Sequence, residues 1–322
     1  MDRETLANRA GIIRGIRRFF ENRDYLEVDT PLLAPDLIPE SCLEVFQTLY
    51  QKPGGDAQPY WLIPSPELWM KKLLAQDSAN IFQICHCFRN GESTGRIHSP
   101  EFTMLEYYTV QAGYMDSLLL TEELFRELGA SGDLAPPFLR ISLEEAFAQW
   151  AGFDLFHAAS TPGALAEEAR RLGLDPPADM GIADCYNLIF VHAIEPQLPR
   201  NAPVALLDYP AFVPCLARKA PGGKTVERWE LYARGVELAN CFSEETDSQE
   251  IRDFFSSEEQ IKAAQALIPH RVDREYWRIF LPSASGRAFP ECSGVAMGLD
   301  RLIMVLLGYA SLQGVLPFPM NE

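Results

Sequence analysis

Positive charge is what this sequence has least of. Among 322 residues, 28 lysines and arginines face 45 aspartates and glutamates, a formal net charge of −17. Surfaces that grip nucleic acid backbones ordinarily carry a basic patch, because counterion release drives that binding, so a polyanionic partner is disfavoured. No apolar run approaches the roughly 20 residues that cross a bilayer, and the opening MDRETLANRAGIIRGIRRFF has no hydrophobic secretion core. The expectation is a cytoplasmic protein without membrane contact. The seven cysteines, an odd number in a long chain, do not make a disulfide framework. Cys85 and Cys87 are spaced C-x-C, but no second pair or histidine cluster completes a zinc pattern, which favours buried reduced thiols. Both usual nucleotide fingerprints, the Walker A loop and G-x-G-x-x-G, are absent, and no internal repeat of fixed period appears.

What is present reads as a large globular chain. Residues 5–23 carry the apolar spacing of an amphipathic helix. An extended segment over 25–30 stops at Pro31, and Pro35 and Pro39 predict no further strand before 43–50. Residues 52–59 read as a hairpin or surface loop before an extended 60–63. Ser65-Pro66-Glu67 opens a helix through Ala75, with serine as N-cap. A helix over 115–128 precedes short helical stretches at 143–150, 161–172 and 181–194, read as an insertion of about residues 140–200 within one domain. Extended structure returns at 203–214 and 226–242, with a turn at Arg234-Gly235, and a polar helix is expected over 257–267. CSGVAMGLDRLIMVLLG closes the chain as a Gly-rich strand feeding a helix.

Chemistry concentrates between Ile81 and Tyr108, two extended runs joined by a polar loop. Strand alternation places Phe102, Met104, Glu106 and Tyr108 on one face. A ring, a carboxylate and a phenol together are not an ordinary core face, and they suit the floor of a site for a nucleotide and a cationic small molecule. Glu67, taken alone, reads as a helix-capping residue. The turn at Arg234-Gly235 would bring Glu230 and Glu237 near each other, where two carboxylates would tolerate a divalent metal; two exposed strand glutamates are the other reading. Arg301, early in the last helix, suits a phosphate or a surface ion pair.

The ordered set is more specific than its parts. A Pro-terminated early strand, FRNG…RIHSPEFTMLEYY and CSGVAMGLDRL resemble the three motifs of class II aminoacyl-tRNA synthetases, and SPELWMKKLL and GVELANCFSEETD extend the likeness to lysyl-tRNA synthetase over nearly the whole chain. The resemblance implies an α+β fold, an antiparallel sheet flanked by helices, dimerising near residues 10–31. It implies ATP and Mg²⁺ as cofactors. Arg89 would bind the α-phosphate, Phe102 would stack on adenine, and Asn90, Gly91, His98, Ser99 and Leu231 would surround the nucleotide. Arg301 would hold the γ-phosphate beside Gly298, with Glu230 and Glu237 on the metal. Glu106, Tyr108 and Glu244 would receive a lysine side-chain ammonium. Ser65, Pro66 and Glu67 would meet an amino group near the reacting carboxylate, with Glu237, Asn240 and Ala296 also lining the substrate. Several acids without a matching protein base predict a dicationic substrate.

Lysyl-tRNA synthetases carry an N-terminal OB-fold, for which the first helix here leaves no room. The family that fits is the elongation factor P–(R)-β-lysine ligases, which implies β-lysine as substrate and elongation factor P, not tRNA, as acceptor. Ala296 stands where the synthetases have glycine, and the ligases likewise have alanine; one methyl group is worth about 1–3 kcal/mol of discrimination. Ala239 similarly replaces a common glycine. The loop RNGEST departs from the family's RNE, with Gly91 in the usual Glu position and Ser99 in place of Asn. Charging a tRNA or another carrier with lysine, and a non-catalytic regulatory role, are the competing readings. The presence of Arg89, Arg301, Glu230 and Glu237 weighs against the last.

Overall fold

The N-terminal periodicity folds as expected. Helix α1 (Arg3–Glu21) starts where Asp2 accepts a hydrogen bond from the Thr5 amide at 2.8 Å, and it buries Ile16, Phe19 and Phe20 on one side. The computed structural model describes residues 2–77, 79–92, 94–284 and 286–320; Ser93 of the RNGEST loop lies outside them. Strands β1 (Leu26–Glu27), β2 (Leu33–Ala34), β3 (Gln47–Gln51) and β4 (Ala57–Leu62) follow, then α2 (Glu67–Gln76), β5 (Ile81–Phe88) and β6 (Glu101–Val110). β2 is a two-residue strand that the flanking prolines argued against; it pairs outward from β4, the edge position that tolerates such neighbours. The chain continues through α3 (Tyr114–Glu127), β7 (Leu139–Ser142), the short helices α4 (Leu143–Ala146), α5 (Leu155–Ala159), α6 (Ala164–Arg171) and α7 (Ile182–Ile189), and strands β8 (Val204–Pro210), β9 (Thr225–Ala233) and β10 (Val236–Ser243). It closes with α8 (Ser248–Gln265), β11 (Cys292–Gly298) and α9 (Leu299–Leu306). α8 begins well before the expected Ser257, because Asp247 caps the amides of Gln249 and Glu250.

These elements form two compact units, Met1–Gly113 with Glu244–Glu322, and Tyr114–Ser243. In the first, β5, β6 and β11 pair antiparallel and β1 adds in parallel at β5, while β2, β4 and β3 form a separate small sheet. In the second, β10, β9 and β8 are antiparallel and β7 joins β8 in parallel. Arg234 and Gly235 both adopt positive φ (53° and 73°), as a tight hairpin turn between β9 and β10 requires. No helix among the described residues is long and apolar enough to cross a membrane.

The first unit's sheet has two differently used faces. On one, Phe82 and Tyr107 pack against α1, with the Phe20 ring 5.0 Å from Phe82 and 4.8 Å from Tyr107. The other face carries Glu106 and Tyr108. A buried ion pair fastens three elements together: Asp300 of α9 lies 2.6 Å from the Arg9 guanidinium of α1 and accepts the Thr103 amide of β6 at 2.7 Å. Asp300 is thus a structural member of the GLDR sequence, and Arg9 is largely covered. Asp300→Asn should destabilise the protein by about 1.5–3 kcal/mol in a denaturant titration, because it removes the charged partner of a largely covered Arg9 and leaves it the Thr103 hydroxyl and the Val315 carbonyl as acceptors.

Candidate active site

Four β6 side chains, Phe102, Met104, Glu106 and Tyr108, share the face opposite α1, as alternation predicts. Across the ladder Cys87 stands beside Phe102, Cys85 and Gly298 beside Met104, Gln83 and Ala296 beside Glu106, and Gly294 beside Tyr108. The thiols of Cys85 and Cys87 are buried against Met104, with Phe102 and Ala296 packed on the same cluster.

At one end of this face lies a pocket of acids. Glu106 accepts hydrogen bonds from Ser65 Oγ at 2.6 Å and from the Tyr108 hydroxyl at 2.8 Å. Helix α2 starts at Glu67, with Pro66 rather than Ser65 at the N-cap position, although Ser65 Oγ still accepts the Glu67 amide at 3.0 Å. The Glu67 carboxylate does not cap; it meets Lys71 Nζ at 2.6 Å. Lys71 Nζ lies equally close, 2.6 Å, to Glu244 Oε2. Lys71 corrects the expectation that no protein base matches these acids. It was unreadable in sequence because Glu67 and Lys71, one helical turn apart, look like a surface pair, yet Lys71 is 1% exposed.

One ammonium is too few for three carboxylates. Burial, and then the neighbouring Glu67, push the Glu106 carboxyl up to about 7, against the bonds from Ser65 and Tyr108. Burial pushes Glu244 up to about 8, opposed by Lys71. Lys71 is itself held well above its usual value: burial works against its charge, but Glu244 and Glu67 outweigh it. Among the described residues no hydrogen-bond donor reaches Glu244 Oε1 or the hydroxyl of buried Tyr276, which borders the same acids. An orphaned buried carboxylate oxygen is costly and marks a place for an incoming cation.

Sequence reasoning missed Tyr276 and Gly294. A Cβ at Gly294 would stand 2.6 Å from both Glu244 Oε1 and Tyr108 Cε1, so the pocket needs glycine there. The CSG of the last motif carried that signal, but only the β6–β11 register shows what the missing side chain makes room for. Ala296 sits opposite Glu106, where its methyl group bounds the same pocket.

The other end of the face gathers basic and aromatic groups. Arg89 follows β5, its amide bonded to Pro100 O at 2.9 Å and its guanidinium 5.3 Å from the Phe102 ring centre. Arg89 Nε is buried and has no partner among the described residues, as an anion-binding group would in the free protein. Asn90 is anchored by its amide to Glu44 O at 2.9 Å, and Gly91 turns with φ +70°. Arg301 lies in the first turn of α9 after Gly298, its Nε donating to Ile97 O at 2.9 Å. Burial, then the nearby Arg301, lower the His98 pKa and keep that imidazole neutral. Ser99 ends the loop just before β6 and is half-buried. Arg89, His98, Phe102 and Arg301 thus come together, apart from the acids.

In the second unit Glu230, Tyr232, Glu237 and Asn240 lie on one face of the β9–β10 hairpin, but the two glutamates do not face each other. A register shift between Glu237 and Ala239 places Asn240 opposite Glu230 and Tyr232 opposite Glu237. Glu230 accepts bonds from Arg228 Nη2 at 2.5 Å and Tyr232 OH at 2.8 Å, and Arg228 Nε donates to Asn240 Oδ1 at 3.0 Å. The Leu231 side chain is fully buried on the opposite face, leaving only its backbone for a ligand. No group of three or more His, Cys, Asp or Glu among the described residues forms a metal cage. Two carboxylates and an amide oxygen on one face still fit magnesium, which takes one or two carboxylates and fills its remaining positions with phosphate and water.

Two outcomes test the acid pocket. Gly294→Ala should weaken binding of a cationic amino acid at least 30-fold, since disturbing a buried charge contact costs about 2–5 kcal/mol; calorimetric titration reads this directly. The raised carboxyls give a pH dependence of known sign. From the ordinary carboxylate range up to about pH 8, the folded protein holds protons on Glu106 and Glu244 that the unfolded chain has released. Stability of the ligand-free protein therefore falls as pH rises through that window. A cation requires the ionised forms, so its affinity should rise over the same range with protons released on binding. Titration in buffers of different ionisation enthalpy measures the release, and Glu106→Gln should reduce it.

Residues 2–322 match the family model of tRNA synthetases class II (D, K and N).

Proposed function

The chain belongs to the class II tRNA synthetase family, and on that premise we propose that it activates (R)-β-lysine with ATP and transfers it to a lysine ε-amine of elongation factor P. The observation that carries the substrate reading is the acid pocket. The buried carboxylates of Glu106 and Glu244 and the partly covered one of Glu67 gather about one ammonium, Lys71, and an oxygen of Glu244 has no donor among the described residues. An amino acid with two ammonium groups supplies the missing positive charge. Ala296, set against Glu106, favours an amine displaced by one carbon, as in β-lysine.

The chemistry needs no protein nucleophile. A carboxylate oxygen of the amino acid attacks the α-phosphorus of ATP in line; the new C–O–P bond forms as the α–β phosphoanhydride breaks, and pyrophosphate leaves. Arg89 receives the charge that develops on the α-phosphate, and Arg301 holds the far end of the triphosphate. Phe102 offers the adenine a ring to stack on, and neutral His98 adds no charge beside it. Magnesium, held by Glu230 and Glu237, would neutralise phosphate charge. In the second step the acceptor ε-amine attacks the acyl carbon, the amide forms, AMP leaves, and the amine proton passes to solvent. The net charge of −17 disfavours a polyanionic acceptor, which supports a protein over a tRNA. Family likeness supports a homodimer in the cytoplasm.

ATP–pyrophosphate exchange with purified protein, followed by intact-mass analysis of elongation factor P, tests the reading. The expected result is exchange supported by β-lysine at least tenfold better than by α-lysine, and a mass gain on elongation factor P equal to one β-lysyl group. Equal or reversed preference removes the β-lysine assignment. Label on tRNA with an unmodified factor removes the acceptor assignment.

A further inference from the structure

The segment between the prolines and β3 is irregular, yet it is fastened along its length to a distant part of the first unit. Leu37 N bonds Arg271 O at 2.9 Å, Ser41 N bonds Glu258 Oε2 at 2.7 Å, and the Glu44 carboxylate accepts the amides of Leu267 and Ile268 at 3.0 and 3.3 Å. At its centre is Lys262 of α8, 5% exposed, whose ammonium donates to the carbonyls of both Glu40 and Leu43. The other side of the segment holds the residue after Arg89: Glu44 O accepts the Asn90 amide at 2.9 Å, and Asn90 Nδ2 donates to Val45 O at 3.3 Å.

A buried ammonium is a costly way to fasten a loop. Its burial lowers the Lys262 pKa, so the carbonyl bonds and nearby acids are what keep the charge in place. Several donors on one point charge clamp two carbonyls three residues apart, those of Glu40 and Leu43, as no apolar residue could. The loop it clamps also carries Glu40, whose carboxyl is pushed up to about 7 by burial and by Glu67 while Arg89 and Lys262 pull it down. The clamped segment therefore adjoins both the acid pocket and the phosphate-binding arginine.

We infer that Lys262 is a positioning residue for the nucleotide: by pinning residues 40–44 to α8 it fixes, through Glu44, the backbone of Asn90 and so the placement of Arg89. The inference rests on the reading of Arg89 and Asn90 as nucleoside triphosphate contacts. Lys262 touches no reacting atom, and its effect belongs to the triphosphate rather than to the amino acid, whose main contacts are on β6, α2 and the Glu244 segment.

The test is ATP–pyrophosphate exchange by the full chain, varying ATP and the amino acid separately, with melting temperature recorded for each variant. Lys262→Met should raise the KM for ATP about tenfold while the KM for the amino acid stays within twofold. Glu258→Ala, which removes the neighbouring bond to Ser41, should shift the ATP KM in the same direction by less, and it decides the matter if Lys262→Met fails to fold. An unchanged ATP KM overturns the inference, as does a parallel rise of both KM values with a lowered melting temperature, the mark of a merely structural fastening. Absence of any exchange by the unaltered protein, together with no ATP binding by calorimetry, would instead reject the reading of Arg89 on which the inference stands.

Discussion

Two buried carboxylates and a third partly covered one, gathered about one buried ammonium, set the terms for the rest of this structure. Glu67, Glu106 and Glu244 come from a helix, a strand and an irregular segment, and the Lys71 ammonium lies 2.6 Å from Glu67 and from Glu244. Burial of like charges in one place is unfavourable, and the protein meets it by hydrogen bonds from Ser65 and Tyr108, by Lys71, and by the raised carboxyl pKa values of Glu106 and Glu244. The remaining deficit of positive charge is the affinity for a cation. Packing a sheet and helix tightly enough to exclude water is what gives that deficit its strength.

The sheet that carries the acids also sets their distance from the end where Arg89, His98 and Phe102 gather. Phe102 and Glu106 are four residues apart on β6, and strand geometry makes that separation about 13 Å. It is held by features that never touch a ligand. α1 covers the back of the strand through Phe20 and Tyr107, and the Arg9–Asp300 pair ties the start of β6 to α9, which bears Arg301. The irregular segment at 40–44 performs the same service for Asn90. Rigid placement of charged groups matters most where the charge they stabilise exists only briefly.

The second unit carries a polar cluster of a different kind. Its hairpin presents oxygen donors in a row, with Arg228 as their present counterion. An arginine beside a proposed metal carboxylate lowers the cost of holding Glu230 buried, while Glu237 and Asn240 stay only partly covered. The offset from the register shift spaces the two carboxylates diagonally, with Asn240 opposite Glu230 and Tyr232 opposite Glu237.

Much of this was written locally. Alternation along 102–108 placed Phe102, Glu106 and Tyr108 on one face, the Arg234-Gly235 pair marked the hairpin, and the Gly-rich strand feeding a helix appeared where CSGVAMGLDR predicted it, because each depends on backbone periodicity or on a residue's own conformational range. Family likeness then assigned roles to positions matching its motifs. What the sequence alone did not reveal depends on partners far apart in the chain: Lys71 reaching Glu244, Gly294 making room beside Tyr108, Asp300 paired with Arg9, and Lys262 clamping residues 40–43. Each of these residues looks ordinary in its own stretch, a surface lysine, a strand glycine or a helix acid. Its role was decided only when tertiary packing removed water and left one particular group, distant in sequence, within reach.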